Sequence, residues 1–104
     1  MPIPSESPVQ VTVRAGQVNI AAAGATDRTQ MTAIDATAGV TIKAHPDNAG
    51  RVYLGNASVT NAAGGAVGYI LEPGEALGPL RVSSLDLIHV AADNAGDDVC
   101  YMAI

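Results

Sequence analysis

The chain has few of the residues that carry specific chemistry. Its 104 residues include no Phe, no Trp, three Tyr and a single Cys. Because large aromatic side chains dominate the energetics of most cores and interfaces, a core built mainly from small side chains is thin. One Cys cannot form a disulfide within the chain. The composition therefore predicts one small domain that gains stability from burial against neighbouring molecules.

Basic residues are also scarce, and they never cluster. The formal net charge is -5. A nucleic-acid-binding surface needs grouped Lys or Arg and aromatic residues that stack on bases, so we expect no nucleic-acid partner. The charged fraction of 14% is too low for a disordered chain of this hydropathy, and the domain should fold. The isolated basic residues are Arg14, Arg28, Lys43, Arg51 and Arg81.

Long apolar runs are missing as well. The N-terminal sequence Met-Pro-Ile-Pro has neither the basic region nor the apolar stretch of a signal peptide. No run approaches the roughly 20 residues of a transmembrane helix. We therefore expect a soluble protein that is made in a cytoplasm and has no membrane partner.

Proline is concentrated at the beginning of the chain, at Pro2, Pro4 and Pro8. Proline fixes φ and removes an amide donor, so residues 1–8 are predicted to form an extended N-terminal arm. Residues 9–104 then form a single β domain. The arm has two interpretations: a frayed terminus, or a strap that lies on a neighbouring subunit.

Alternating apolar residues begin directly after the arm. Val9, Val11 and Val13 precede Ala15-Gly16, and a second alternating run follows, which predicts a hairpin with one buried face. Residues 21–38 show no sustained periodicity. Within them, Met31 and Ile34 are predicted to touch the core.

The same four residues, Asp-Asn-Ala-Gly, occur at 47–50 and at 93–96 between apolar runs. Asp and Asn favour the first positions of a turn, and Gly accepts the left-handed conformation, so both segments are predicted to be hairpin loops. Glu72-Pro73-Gly74-Glu75 predicts a further tight turn. About eight short strands, spaced by such signals, predict an all-β fold: a small antiparallel β-sandwich or barrel, jelly-roll-like, with an extended N-terminal arm.

Candidate metal ligands are few and poorly spaced. His45, His89 and Cys100 show no paired spacing, so we expect no metal site. The segment 93–98 is rich in acidic residues and offers oxygen ligands for calcium, but its spacing fits no calcium loop. Turn formation explains Asp93, Asn94, Asp97 and Asp98 equally well.

Catalytic motifs are absent from the sequence. No nucleophile elbow or phosphate-binding loop occurs, and Cys100 lies in the apolar run 99–104, where it is expected to be a small buried hydrophobic residue. Glu72 and Glu75 flank a turn that we expect to be solvated. We therefore predict no catalytic residue, no cofactor and no enzymatic activity.

One set of residues in the second half of the chain forms a pattern of turn and core positions: Val52-Tyr53-Leu54-Gly55, Val59-Thr60, Gly68, Leu71-Glu72-Pro73-Gly74-Glu75-Ala76-Leu77, Leu85, Ile88 and Val90. With these residues, the segment 51–104 resembles small virion structural proteins of tailed bacteriophages. That family includes β-rich capsid decoration (cement) proteins and head-fibre or tail-adaptor proteins. The resemblance implies a virion location and a major capsid protein or another virion protein as partner. The thin core in turn favours self-association, for example as a trimer.

A decoration protein would bind the coat through the arm and the apolar end of the chain. Two alternatives stay open: a tail, fibre or connector component, and a receptor- or carbohydrate-binding β module. Sugars usually stack on aromatic rings, and only Tyr53, Tyr69 and Tyr101 offer one. The residues expected to touch a partner are Pro2, Ile3, Pro4, Pro8, Met102 and Ile104.

Overall fold

The computed structural model describes residues 13–62, 64–65 and 67–104. The arm predicted over residues 1–8, and Val9 and Val11 of the predicted first strand, lie outside these residues. Within this described part of the chain, eight strands form two antiparallel four-stranded sheets, which confirms the predicted all-β class and makes the fold a sandwich. The strands are β1 (Arg14–Asn19), β2 (Thr29–Gln30), β3 (Ala36–Ala44), β4 (Val52–Gly55), β5 (Tyr69–Leu71), β6 (Ala76–Val82), β7 (His89–Ala92) and β8 (Asp98–Ala103), with a 3₁₀ turn at Leu85–Leu87.

The strand order is β1-β8-β3-β6 in the first sheet and β2-β7-β4-β5 in the second. The first strand pairs with the last, β2 with β7, β3 with β6 and β4 with β5. These four pairs form one long antiparallel ladder between the two halves of the chain. The ladder is rolled up, so that β3 also pairs with β8 and β4 with β7. This is the arrangement of a jelly roll.

The core lies between the two sheets and is made largely of small side chains. Along β3, Val40, Ile42 and Ala44 are buried, while Lys43 between them is exposed. This period of two is the one expected for a strand with one covered face. The predicted core contacts are confirmed, because Met31 is buried and Ile34 packs against the same cluster.

A smaller apolar layer covers the outer face of the second sheet. Val59 and Val67 pack there against Tyr53 and Ala91. The guanidinium of Arg28 donates to the backbone oxygen of Val59 at 2.8 Å and so ties the segment before β2 to this layer.

The predicted hairpin around Ala15-Gly16 is wrong. β1 runs straight through both residues and pairs with β8 over its whole length. A Cβ at Gly16 would lie 2.6 Å from the hydroxyl oxygen of Tyr101, so the glycine lets the tyrosine ring lie where it does. Ala15-Gly16, which suggests a turn in the sequence, is therefore the place where the ring of Tyr101 from β8 lies across β1.

The two Asp-Asn-Ala-Gly segments do form turns, but they do not close hairpins. Residues 45–51 lead from β3 in the first sheet to β4 in the second, and residues 93–97 lead from β7 in the second sheet to β8 in the first. Turn residues determine how the backbone bends locally, whereas pairing across the core determines which strands become neighbours. The two segments lie side by side at one end of the sandwich, called here the arch end.

Candidate partner-binding surface

The acidic residues of segment 93–98 serve the arch end itself. Asp97 is only 6% exposed. Its two carboxylate oxygens accept the backbone N–H groups of Ala49 and Gly50 at 2.9 and 3.1 Å. A carboxylate placed in this way satisfies two partly buried donors of the opposite loop. Among the described residues, no three His, Cys, Asp or Glu side chains are grouped closely enough to hold a metal ion.

Tyr53 joins the same end of the sandwich from the second sheet. Its hydroxyl lies 2.9 and 3.0 Å from the two carboxylate oxygens of Asp93. Burial of the ring raises the pKa of Tyr53, and the hydrogen bond to the Asp93 carboxylate raises it further. The Tyr53 hydroxyl thus has a structural role, and its buried ring is not available to stack on a ligand.

Glu72 and Glu75 take part in the turn that joins β5 to β6. The Glu75 carboxylate accepts the backbone N–H of Glu72 at 2.7 Å. Glu72 pairs with Arg51 at 2.6 Å, and this contact raises the pKa of the guanidinium. Both side chains are exposed, as the sequence predicts, although each has a partner.

The two histidines and the cysteine lie in different elements: His89 is on β7 of the second sheet, whereas His45 follows β3 and Cys100 is on β8 of the first sheet. The imidazole Nδ1 of His45 accepts the N–H of Asp47 at 3.0 Å, and the residue is half-buried. Nδ1 of His89 is buried and has no hydrogen-bond partner within the described residues. Cys100 is half-buried, paired with Lys43 on the outer face of the first sheet, so the prediction of a buried cysteine is only partly right.

An exposed apolar surface lies at the opposite end of the first sheet. Val13, Met102 and Ile104 are 60%, 55% and 53% exposed. Ala15 lies opposite Met102 in the β1–β8 ladder, and continuing that register by one residue places Val13 opposite Ile104. These four residues share the outer face of the sheet and are called here the arm-root patch, because the chain leads from Val13 back to the predicted arm.

The arm-root patch unites two parts of the chain that the sequence singles out separately. Met102 and Ile104, two predicted contact residues, are both exposed there. The other four, Pro2, Ile3, Pro4 and Pro8, lie outside the described residues. Arg14 holds the two chain segments together, because its guanidinium donates to the backbone oxygen of Ile104 at 3.2 Å.

A second apolar surface was not predicted from the sequence. Between the edge strands β5 and β6, the sandwich opens into a groove of about 340 Å³, called here the edge groove. Tyr69 and Leu87, which are 55% and 58% exposed, stand at its rim. Its floor and walls include Leu54, Leu77, Leu80 and Val82. The apolar residues of β6 give a sequence signal for a buried strand, but they do not reveal that this strand lies at an edge.

Comparison with protein-family models, with curated proteins and with solved structures finds no significant match for this chain. Over the residues that the structure describes, no helix has the length and apolar character needed to cross a membrane.

Proposed function

We propose that this chain is a non-enzymatic structural protein of a phage virion, a capsid decoration (cement) protein that binds the coat lattice and stabilises the head. The observation that carries the proposal is the arm-root patch. Exposed apolar residues that cluster on a surface are typical of a site that binds another protein. The partner would be the major capsid protein, and the protein would act in the virion after synthesis in the host cytoplasm.

The fold and the resemblance of residues 51–104 to virion proteins support the same proposal. Eight-stranded jelly rolls are common in viral capsid proteins and in lectins. Since a fold alone does not determine a function, the jelly roll makes both classes reasonable without choosing between them. The thin core favours the capsid role, because a decoration protein shares its burial with neighbours over many copies.

The abundance of the chain in purified virions tests this proposal. Quantitative mass spectrometry would compare its copy number with that of the major coat protein. A comparable copy number is expected for decoration. A copy number of a few per particle would instead indicate a tail or connector component, and absence of the chain from particles would contradict a virion role.

A matched pair of substitutions tests the surface. We expect Met102→Asp to lower the affinity for undecorated particles at least about tenfold, because burial of an apolar side chain of this size contributes roughly 1.5–3 kcal/mol. Ile70→Asp is the control, since Ile70 is 41% exposed on β5, away from the patch. Deleting residues 2–8 should also weaken attachment while the domain stays folded. Equal binding by the Met102 variant and the unchanged protein would remove the patch from the proposal.

One observation favours the carbohydrate-binding alternative. Tyr69 is exposed at the rim of the edge groove, where its ring is accessible for stacking. Tyr53 is buried, and Tyr101 is half-buried against Gly16. Binding on a glycan array that is lost in Tyr69→Ala would support this second function, whereas an array without binding would argue against it.

A further inference from the structure

We propose that residues 9–13 of one copy of this chain bind as an added β-strand in the edge groove of a second copy. The inference deepens the proposed function, on which it rests, by naming a partner for the segment that leads into the arm. It concerns the isolated protein, so its test is separate from particle binding.

The first argument comes from the groove. β6 is the last strand of its sheet and pairs only with β3 among the described residues. Its other edge offers backbone groups to an incoming strand on either side of Pro79, which itself has no N–H, next to an apolar trough between the two sheets. This combination of a free strand edge and side-chain pockets is the one used in β-strand addition.

The second argument comes from the alternation before β1. Val9 and Val11 share the phase of Val13, and Val13 points away from the core with 60% exposure. If the alternation of β1 continues back to residue 9, Val9 and Val11 also face away from the core of their own copy. A strand with three valines on one side and Gln10 and Thr12 on the other suits a surface that is apolar on one side only.

Length and charge also match. Residues 9–13 span about 16 Å as a strand, and the stretch of β6 from Leu77 to Val82 covers about the same distance. Arg81 is exposed and contributes to the groove. The one charged side chain among residues 1–12 is Glu6, three residues before Val9, and its charge is opposite to that of Arg81.

The position of β1 favours a second copy over the groove of the same chain. β1 and β6 lie at opposite edges of one sheet, with β8 and β3 between them. β8 ends opposite the beginning of β1, at the pair Arg14 and Ala103. To reach its own groove, the segment would have to reverse and cross about 14 Å of sheet. When each copy donates its segment to one neighbour and accepts a segment from another, the contact is head-to-tail, and it forms a ring such as a trimer if the rotation between copies closes.

Sedimentation velocity and light scattering on the full-length protein test the proposal. The unchanged protein is expected to associate into a species of two or more chains. Val9→Asp with Val11→Asp should reduce it to single chains, whereas the control, Gln10→Asp with Thr12→Asp, should leave association intact because the same charges fall on the other side of the strand. Tyr69→Lys with Leu87→Lys in the groove should also give single chains, and Ile70→Lys should not.

Mixing the two single-chain variants decides between exchange and any other contact. The valine variant keeps an intact groove and the groove variant keeps an intact strand, so an equimolar mixture should form a one-to-one pair. Circular dichroism would confirm that each variant is folded. The proposal is overturned if the unchanged protein is a single chain at all accessible concentrations, if association survives the valine substitutions, or if the mixed variants fail to pair.

Discussion

The side chain of Asn48 pairs with the backbone of Asp98 in both directions. Its amide nitrogen donates to the Asp98 carbonyl at 2.9 Å, and its oxygen accepts the Asp98 N–H at 2.8 Å. One side chain thus extends the pairing of β3 and β8 by another step beyond Ala44 and Val99. The two arch-end loops are joined mainly by this pair and by the Asp97 carboxylate.

Removing the Asn48 amide should destabilise the fold. We expect Asn48→Ala to lower the free energy of unfolding by about 1–3 kcal/mol, because the half-buried N–H of Asp98 loses its partner and the Asp98 carbonyl loses one of two donors, the other being the N–H of His45. Urea unfolding measures the change. Asn94→Ala is the matched control from the second loop, since Asn94 is exposed and its loss should change the stability by less than about 0.5 kcal/mol. Equal effects of the two substitutions would contradict this role for Asn48.

Asp97→Asn tests whether the carboxylate is needed in the arch end. Asparagine has one acceptor oxygen where the native residue presents two, and its NH₂ group would face the N–H of Ala49 or Gly50. We expect a loss of about 1–3 kcal/mol in the free energy of unfolding. Asp47→Asn provides the comparison, because the Asp47 side chain is 93% exposed and should tolerate the change. A neutral result for Asp97→Asn would mean that water satisfies these donors.

Tyr53 should make stability depend on pH in alkaline solution. Its pKa is raised in the folded state, first by burial and then by the Asp93 carboxylate, so the folded protein holds the phenolic proton more tightly than the unfolded chain does. This stabilisation is fully present below the unfolded pKa of about 10 and is lost as the pH rises through the higher folded value. Unfolding measured across this range should show the decline, and Tyr53→Phe should make it shallower. An unchanged slope in the variant would rule out Tyr53 as its source.

Substitutions at two glycines distinguish the stability cost of backbone strain from that of steric overlap. Gly68 and Gly74 have φ values of +73° and +86°, but a Cβ at Gly68 would collide with the carbonyl oxygen of Leu54, whereas Gly74 has no atom within 4 Å of that position. Gly74→Ala should therefore cost about 1–2 kcal/mol from the left-handed conformation alone. Gly68→Ala should cost about 1–3 kcal/mol more, because backbone must move. Similar unfolding temperatures for the two variants would contradict the collision.

The sequence predicts the class of fold well but not the connections between strands. Alternation in β3 and turn residues at 47–50, 72–75 and 93–96 are local properties, and the structure confirms them. Which sheet each strand joins depends on pairing across long separations, such as β1 with β8, and no local pattern encodes it. The turns at 47–50 and 93–96, which were expected to close hairpins, therefore connect strands of different sheets.

The candidate surfaces show the same division. Met102 and Ile104 belong to the uniformly apolar run 99–104, so the sequence marks them as apolar, and only the placement of β8, with Val99 and Ala103 facing the core, makes them exposed. The contribution of Val13 to the same patch depends on the β1–β8 register, and the edge groove depends on β5 and β6 being the last strands of their sheets. Both are consequences of topology, which composition and spacing do not contain.

The separation of the two ends of the first sheet gives the domain a direction. Apolar residues stand at the end where β8 finishes, while Asp47 and Asp93 are exposed at the arch end, where β8 begins. Copies attached to a shell by their apolar ends would all turn the same acidic loops outward. A decorated particle would then migrate faster towards the anode than a bare one of the same size, and the difference would shrink as Asp47 and Asp93 are replaced by Asn.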